Sequence, residues 1–289
     1  MRPSRRLRLR DRTIELGART AVMGVVNCTP DSFYEASRNP VAEQAIARYH
    51  QIVAEGADWV DVGGESTRPG ADPVPAEEEW RRIAPVLEAA RRAGHPVPLS
   101  VDTTKAAVAQ RALDHGAVMI NDVSALRADP ALGGLAAESG AALVCMHMQG
   151  APRTMQADPR YDDVVTEIRA DLAAALQRAR ACGVAHDQLL IDPGIGFGKT
   201  ARHNLEILRR LEEFSLLERP ILIGCSRKRF IGAVLDLPAG ERLEGTLAAH
   251  ALAVLGGAHA VRVHDVQAHV RALRLVDAVL AAGNPGIGG

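Results

Sequence analysis

A chain of 289 residues with 47% hydrophobic side chains can bury one large core, and its formal net charge of −1 excludes a basic field drawing it to nucleic acid or anionic membrane. No apolar run reaches the roughly 20 residues that a spanning helix needs, and the charged N-terminus lacks the apolar segment of a secretory signal. Cys28, Cys145, Cys182 and Cys225 show no metal-type spacing and three of them end apolar runs, so buried reduced thiols in a cytoplasmic protein are expected.

In chain order, Arg2, Arg5, Arg6, Arg8, Arg10 and Arg12 alternate with Leu7 and Leu9, which predicts an exposed hairpin within residues 1–18, free of nucleic acid and placed to close a barrel floor. Short apolar runs rich in β-branched residues then predict strands at 21–26, 59–62, 98–101, 118–120, 142–145, 188–191, 220–224 and 260–263. Between them, 3.6-residue periodicity predicts helices at 41–55, 76–93, 105–115, 164–182 and 245–255, with a last helix at 266–281. Gly-Ala steps at 56–57, 116–117, 140–141 and 257–258 suit left-handed helix ends that lead into strands. Eight β-then-α units indicate a single-domain (β/α)₈ TIM barrel over residues 1–289, with 283–289 a flexible tail. An open doubly wound sheet is the alternative, because strand count alone does not prove closure.

A barrel of this kind places its chemistry immediately after the strands, and the polar residues obey. Asn27 follows the first run and Glu65-Ser66-Thr67-Arg68 the second; Asp102 follows the third and Asn121-Asp122 the fourth. Met146-His147, Asp192, Ser226-Arg227-Lys228, and Arg262 with His264 follow the remaining four. Only three lysines occur against thirty-one arginines, and Lys105, Lys199 and Lys228 all stand in these turns. Arginine-rich coding accounts for the ratio but not for that placement, since a compact ammonium differs from a planar fork.

Asp102, Asn121 and Asp192, from separate strands, suit the amidine edge of a flat nitrogen heterocycle, although Asp102 also fits a helix cap. The run Gly194-Ile195-Gly196-Phe197-Gly198-Lys199 is no phosphate loop, because Pro193 stands where that motif requires Gly. It reads instead as a turn that lets backbone approach a ligand and presents Phe197. Arg68, Arg227, Arg262 and His264 suit an anion, with solvated arginines the plainer account for Arg68 and Arg227. His147 fits a structural histidine as well as a catalytic one. Asn27 with Asp31 suits a hard cation, or else turn chemistry around Pro30.

Eight stretches in order closely resemble the dihydropteroate synthase family of folate biosynthesis: residues 23–33, 61–70, 100–105, 120–125, 146–150, 191–199, 226–228 and 262–266. The resemblance implies a transferase joining a dihydropterin-methyl diphosphate to 4-aminobenzoate, with release of diphosphate. By motif, Asn27 resembles the Mg²⁺ ligand, and Asp102, Asn121, Asp192 and Lys228 the pterin-holding set, with Met146 nearby. Thr67, Arg262 and His264 correspond to residues that bind the pterin diphosphate, while Arg68, Pro69, Phe197 and Ser226 border the aminobenzoate. Asp102, Asp192 and Lys228 are the expected catalytic groups. The resemblance also implies a homodimer, for which Leu273, Val276 and Leu280 offer an apolar face unless they face the barrel. Two features depart from the family: Tyr34-Glu35-Ala36-Ser37 replaces a Ser-Asp-Gly-Gly loop, and Arg229 stands where Ser is frequent. A pterin-binding methyltransferase barrel and a non-catalytic pterin-binding paralogue are the alternatives.

Overall fold

The structure, a computed structural model, describes residues 2–10, 12–29, 40–67 and 70–282. Strands β1 (Arg5–Leu9) and β2 (Arg12–Leu16) form an antiparallel pair with Leu7 opposite Ile14. Eight parallel strands follow: β3 (Ala21–Asn27), β4 (Trp59–Gly63), β5 (Leu99–Asp102), β6 (Met119–Asp122), β7 (Ala142–Met146), β8 (Leu189–Asp192), β9 (Leu222–Ile223) and β10 (Ala260–Val263). Their order is β8-β7-β6-β5-β4-β3-β10-β9, and a parallel bridge between Ile191 and Ile221 joins the two ends. That bridge makes the sheet a barrel and removes the open-sheet alternative.

Nine helices lie among the described residues: α1 (Pro40–Ala54), α2 (Ala76–Arg92), α3 (Ala106–Asp114), α4 (Ala131–Ser139), α5 (Val164–Ala181), α6 (Ala201–Arg209), α7 (Arg229–Leu235), α8 (Leu243–Leu255) and α9 (Val266–Ala282). The glycines of the Gly-Ala steps do take the expected conformation; Gly116 has φ 95° and Gly140, which ends α4, φ 71°.

Strand alternation sorts side chains into two sets. Val22, Val26, Val60, Val62, Leu99, Val101 and Ile120 point outward to meet the helices. Met23, Trp59, Met119, Ala142, Val144, Leu190, Leu222 and Ala260 point inward and pack with Leu7, Leu9 and Leu16 of the hairpin. The hairpin therefore plugs the barrel floor, as its apolar alternation predicts. Three N-terminal arginines are anchors: Arg2 pairs with Asp277 at 3.1 Å, Arg8 donates to Gln188 at 2.6 Å, and Arg10 to the Leu113 carbonyl at 2.9 Å, while Arg6 and Arg12 are exposed as expected.

Three expectations are corrected. Strand β9 is shorter than 220–224: the Ile221 amide donates to His259 Nδ1 at 3.2 Å and the Cys225 amide to His250 Nε2 at 2.9 Å, side chains rather than a neighbouring strand. Cys182 is exposed at the end of α5, whereas Cys28, Cys145 and Cys225 are buried. Leu273 is buried, and Val276 and Leu280 pack on the outward core, so that face of α9 is turned to the barrel. Helices α4, α6 and α7 are short, and no periodic run marks them separately. Among the described residues no helix is long and apolar enough to cross a membrane.

Candidate active site

Inward positions at the C-terminal strand ends carry polar side chains directly above the apolar floor. Asp61 of β4, fully buried, is the hub: its Oδ2 accepts from Arg262 Nε at 2.6 Å and from Asn121 Nδ2 at 3.0 Å. Arg262 Nη2 donates to Asp102 Oδ2 at 2.7 Å, so one guanidinium joins two carboxylates from β4 and β5. Burial pushes the Asp102 carboxyl up, with Asp61 and Glu79 adding to the effect against the pull of Arg262. For Arg262, burial opposes the charge, but Asp61 and Asp102 outweigh it and hold the guanidinium above its ordinary value.

Across the mouth, Asp192 Oδ1 accepts from the Gly194 amide at 2.7 Å. Burial raises its carboxyl against the attraction of Lys228, and burial lowers Lys228 to about 8 against the attraction of Asp192. The Lys228 ammonium donates to the Ile195 carbonyl and stands 4.7 Å from the Phe197 ring centroid. Met146 is buried with Val123, Met148 and Met155, and Phe197 packs against them, giving an apolar ledge beside the polar ring. Ser226 Oγ lies 2.8 Å from His264 Nδ1 and accepts from the His264 amide at 3.1 Å.

Thr67 and Asp102 share a cavity of about 300 Å³ with Glu79, Thr103, Arg127 and Met148. His264 lines a separate one of about 510 Å³ with Arg48, Arg227 and Asp265. The expected convergence of free cations is therefore only partial. Arg262 is engaged by two carboxylates, and Arg227 is bidentate on Asp265 at 2.9 and 2.7 Å. Arg68 and Pro69, like the Tyr34–Ser37 departure with Pro30 and Asp31, lie outside the described residues.

The glycine-rich turn packs closely on the backbone that follows β7. A Cβ on Gly194 would lie 1.8 Å from the His147 carbonyl oxygen, and one on Gly198 2.5 Å from that of Gln149. Lys199, buried, donates to the Phe197 carbonyl at 2.9 Å and lies 2.9 Å from His147 Nδ1. With His147 Nε2 3.3 Å from Asp171, that histidine is a satisfied structural one. Lys105 bridges Glu65 and the buried Glu79, at 2.6 Å from the latter, and so ties the Thr67 loop to α2. Lysine placement in the turns thus reflects three partnered ammonium groups.

Sequence reasoning missed Asp61 and Glu79. Asp61 carried a signal: one carboxylate inside the apolar run Trp59-Val60-Asp61-Val62, two residues from Trp59 and hence on its inward face. Glu79 carried none, since it reads as one of three acids that open α2.

Among the described residues no group of three His, Cys, Asp or Glu side chains could hold a metal by itself. Asn27, half-buried where β3 ends, offers a neutral amide oxygen. One hard donor suits Mg²⁺, which keeps several waters and takes further oxygens from substrate phosphates.

A closed β/α barrel whose upper rim combines carboxylates, an amide and a lysine beside an apolar ledge defines a binding enzyme for a flat nitrogen heterocycle. Residues 23–264 match the family described as "Pterin binding enzyme". The dihydropteroate synthase of Escherichia coli K12 is 44% identical over 261 residues, covering 90% of this chain and 92% of that one. A Xanthomonas albilineans dihydropteroate synthase structure with 4-aminobenzoic acid superposes with TM-score 0.89 at 44% identity, covering 96% of this chain and 99% of that one. The Thermus thermophilus enzyme in complex with 6HMPPP gives TM-score 0.81 at 46% identity, over 95% and 100% of the two chains. The chain belongs to the dihydropteroate synthase family.

Proposed function

We infer that this site condenses (7,8-dihydropterin-6-yl)methyl diphosphate with 4-aminobenzoate, forming 7,8-dihydropteroate and diphosphate for tetrahydrofolate biosynthesis. The observation that carries the reading is the Asp61–Arg262–Asp102–Asn121 network facing Asp192 and Lys228 across the barrel mouth. Asp102, Asn121 and Asp192 accept from and donate to the ring edge of the pterin, and the Lys228 ammonium donates to its acceptors. Met146 packs on the ring face. Breaking the exocyclic C–O bond leaves positive character on the methylene, which the Asp102 carboxylate stabilises. Thr67 and His264 hold the diphosphate as the bond breaks, together with the guanidinium of Arg262. The aniline nitrogen then forms the new C–N bond from its lone pair and gives up a proton, so no protein nucleophile is required. Arg68, Pro69, Phe197 and Ser226 border the aminobenzoate.

Asn27 would hold Mg²⁺, which supplies Lewis-acid neutralisation of charge on the departing diphosphate. A second copy of the chain covers the exposed Leu205, Val234, Leu235, Leu252 and Leu255 of α6, α7 and α8, helices that pack against one another. Buried thiols at Cys28, Cys145 and Cys225, each pushed up to about 12 by burial, support a reducing, cytoplasmic setting.

Diphosphate release from the pterin substrate, measured with and without 4-aminobenzoate, tests the reaction. Release that does not depend on aminobenzoate refutes it. Sedimentation showing only monomer at micromolar concentration refutes the dimer.

A further inference from the structure

The turn after β9 carries Ser226, Arg227 and Lys228, and its first amide, that of Cys225, donates to His250 Nε2 of α8 at 2.9 Å. His250 Nδ1 lies 2.9 Å from His269 Nε2 of α9, and His269 Nδ1 lies 2.6 Å from the Asp265 carbonyl. Both imidazoles are completely buried. The two ends of this row have a fixed sense, because an amide N–H only donates and a carbonyl only accepts. His250 Nε2 must therefore accept, which leaves its proton on Nδ1. His269 Nε2 must accept that proton's bond, which leaves its own proton on Nδ1. One tautomer of each ring satisfies every link, and both rings are neutral. An added proton on either ring would set N–H against N–H in a buried site.

The row joins two loops that the chemistry uses. At one end Arg227 is held in left-handed backbone at φ 55°, a conformation that persists in a non-glycine residue where neighbours over-determine it. Thr246 Oγ1 accepts from the Arg227 amide at 3.0 Å, and the Asp265 carboxylate takes the Arg227 side chain at 2.9 and 2.7 Å. At the other end Asp265 follows Arg262 and His264, and His264 meets Ser226 at 2.8 Å. The charged groups facing the row are Lys228 and Arg227 from the turn and Asp265 before α9. Burial comes first in holding both rings below the ordinary histidine value, with His269 and Lys228 lowering His250 further and Asp265 opposing at His269.

We propose that His250 and His269 are positioning residues that act as one neutral pair, holding the Ser226–Lys228 turn in register with Arg262 and His264; the proposal rests on the function inferred above. Truncating His250 leaves the Cys225 amide without its acceptor, and truncating His269 leaves the His250 Nδ1 proton without one, so in either case the turn drifts.

Nitrogen-15 imidazole shifts of the full wild-type chain test the pair directly. Both rings are expected as Nδ1–H tautomers that stay neutral from pH 7 to pH 6. An Nε2–H signal from either ring, or its protonation in that range, overturns the proposal. Kinetics supply the second arm. His250→Leu and His269→Leu should each raise KM for the pterin diphosphate about tenfold, the effect of one buried neutral hydrogen bond, with kcat changed by less than about twofold. The double variant should be no worse than either single one, because the row is lost once broken. His250→Gln, which keeps an acceptor for the Cys225 amide, should recover most of the affinity. Unchanged KM in folded single variants, or losses that multiply in the double variant, refutes the role. A wild-type chain that releases no diphosphate refutes the function instead, while the ring tautomers still decide the pair.

Discussion

Replacing Lys228 by Arg keeps the charge and so isolates shape. The half-buried lysine reaches the Ile195 carbonyl and lies over Phe197, its ring centroid 4.7 Å away. Its stem runs beside Gly196, where a Cβ would already sit 3.1 Å from Lys228 Cδ, and its tip lies 3.8 Å from the Cβ position of Gly224. An arginine adds two heavy atoms and a planar fork to a channel walled by those glycines. Overpacking of about 1–3 kcal/mol combines with loss of a charged hydrogen bond worth roughly 1.5–3 kcal/mol. A combined loss of about 2.5–6 kcal/mol in transition-state binding predicts a fall in kcat/KM of roughly 70-fold or more. The pH profile gives a second handle. Burial lowers Lys228 to about 8, so wild-type kcat/KM should fall as pH rises through that value, whereas Lys228→Arg loses this alkaline limb. Steady-state kinetics from pH 6 to 9.5 measure both effects. Turnover like wild type in Lys228→Arg would refute the demand for a compact donor.

Asp61→Ala leaves Arg262 with one carboxylate and Asn121 without its acceptor, so kcat/KM should fall on the order of 100-fold and urea unfolding should show a loss of roughly 2–3 kcal/mol. Stability unchanged in that variant would mean the hub is not formed. Chelating Mg²⁺, or making Asn27→Ala, should lower kcat more than it weakens pterin affinity; a rate indifferent to chelation removes Asn27 from the metal role. His259 accepts from the Ile221 amide and lies 2.9 Å from the Pro3 carbonyl, and burial lowers it to about 4. Because its folded value lies below the unfolded one of about 6.5, its stabilisation is complete above pH 6.5 and lost as pH falls, by about 3 kcal/mol at pH 4. Urea midpoints measured between pH 7 and pH 4.5 should show this slope, and His259→Gln should flatten it; an equal slope in the variant assigns the acid loss elsewhere.

Much of the barrel was legible because its determinants are local. Apolar runs of strand length, helical periodicity between them and Gly-Ala steps are properties of neighbours in the chain, and strand β10 agrees with its expected bounds at both ends. The candidate site was legible for a related reason: a barrel sends successive strand ends to one rim, so Asp102, Asn121 and Asp192 could be assigned to a common mouth from their places after strands. What the sequence by itself could not decide is how these groups pair. Asp61 and Arg262 stand 201 positions apart, and their 2.6 Å bond exists only because β3 pairs with β4 on one side and β10 on the other. Closure itself depends on Ile191 meeting Ile221 across the seam, a pairing that no periodicity encodes. The same holds for Leu273, Val276 and Leu280, an apolar stripe that would serve a partner or the barrel equally well. Helical periodicity specifies that a face is apolar, and only the packing of α9 on the sheet determines what that face meets.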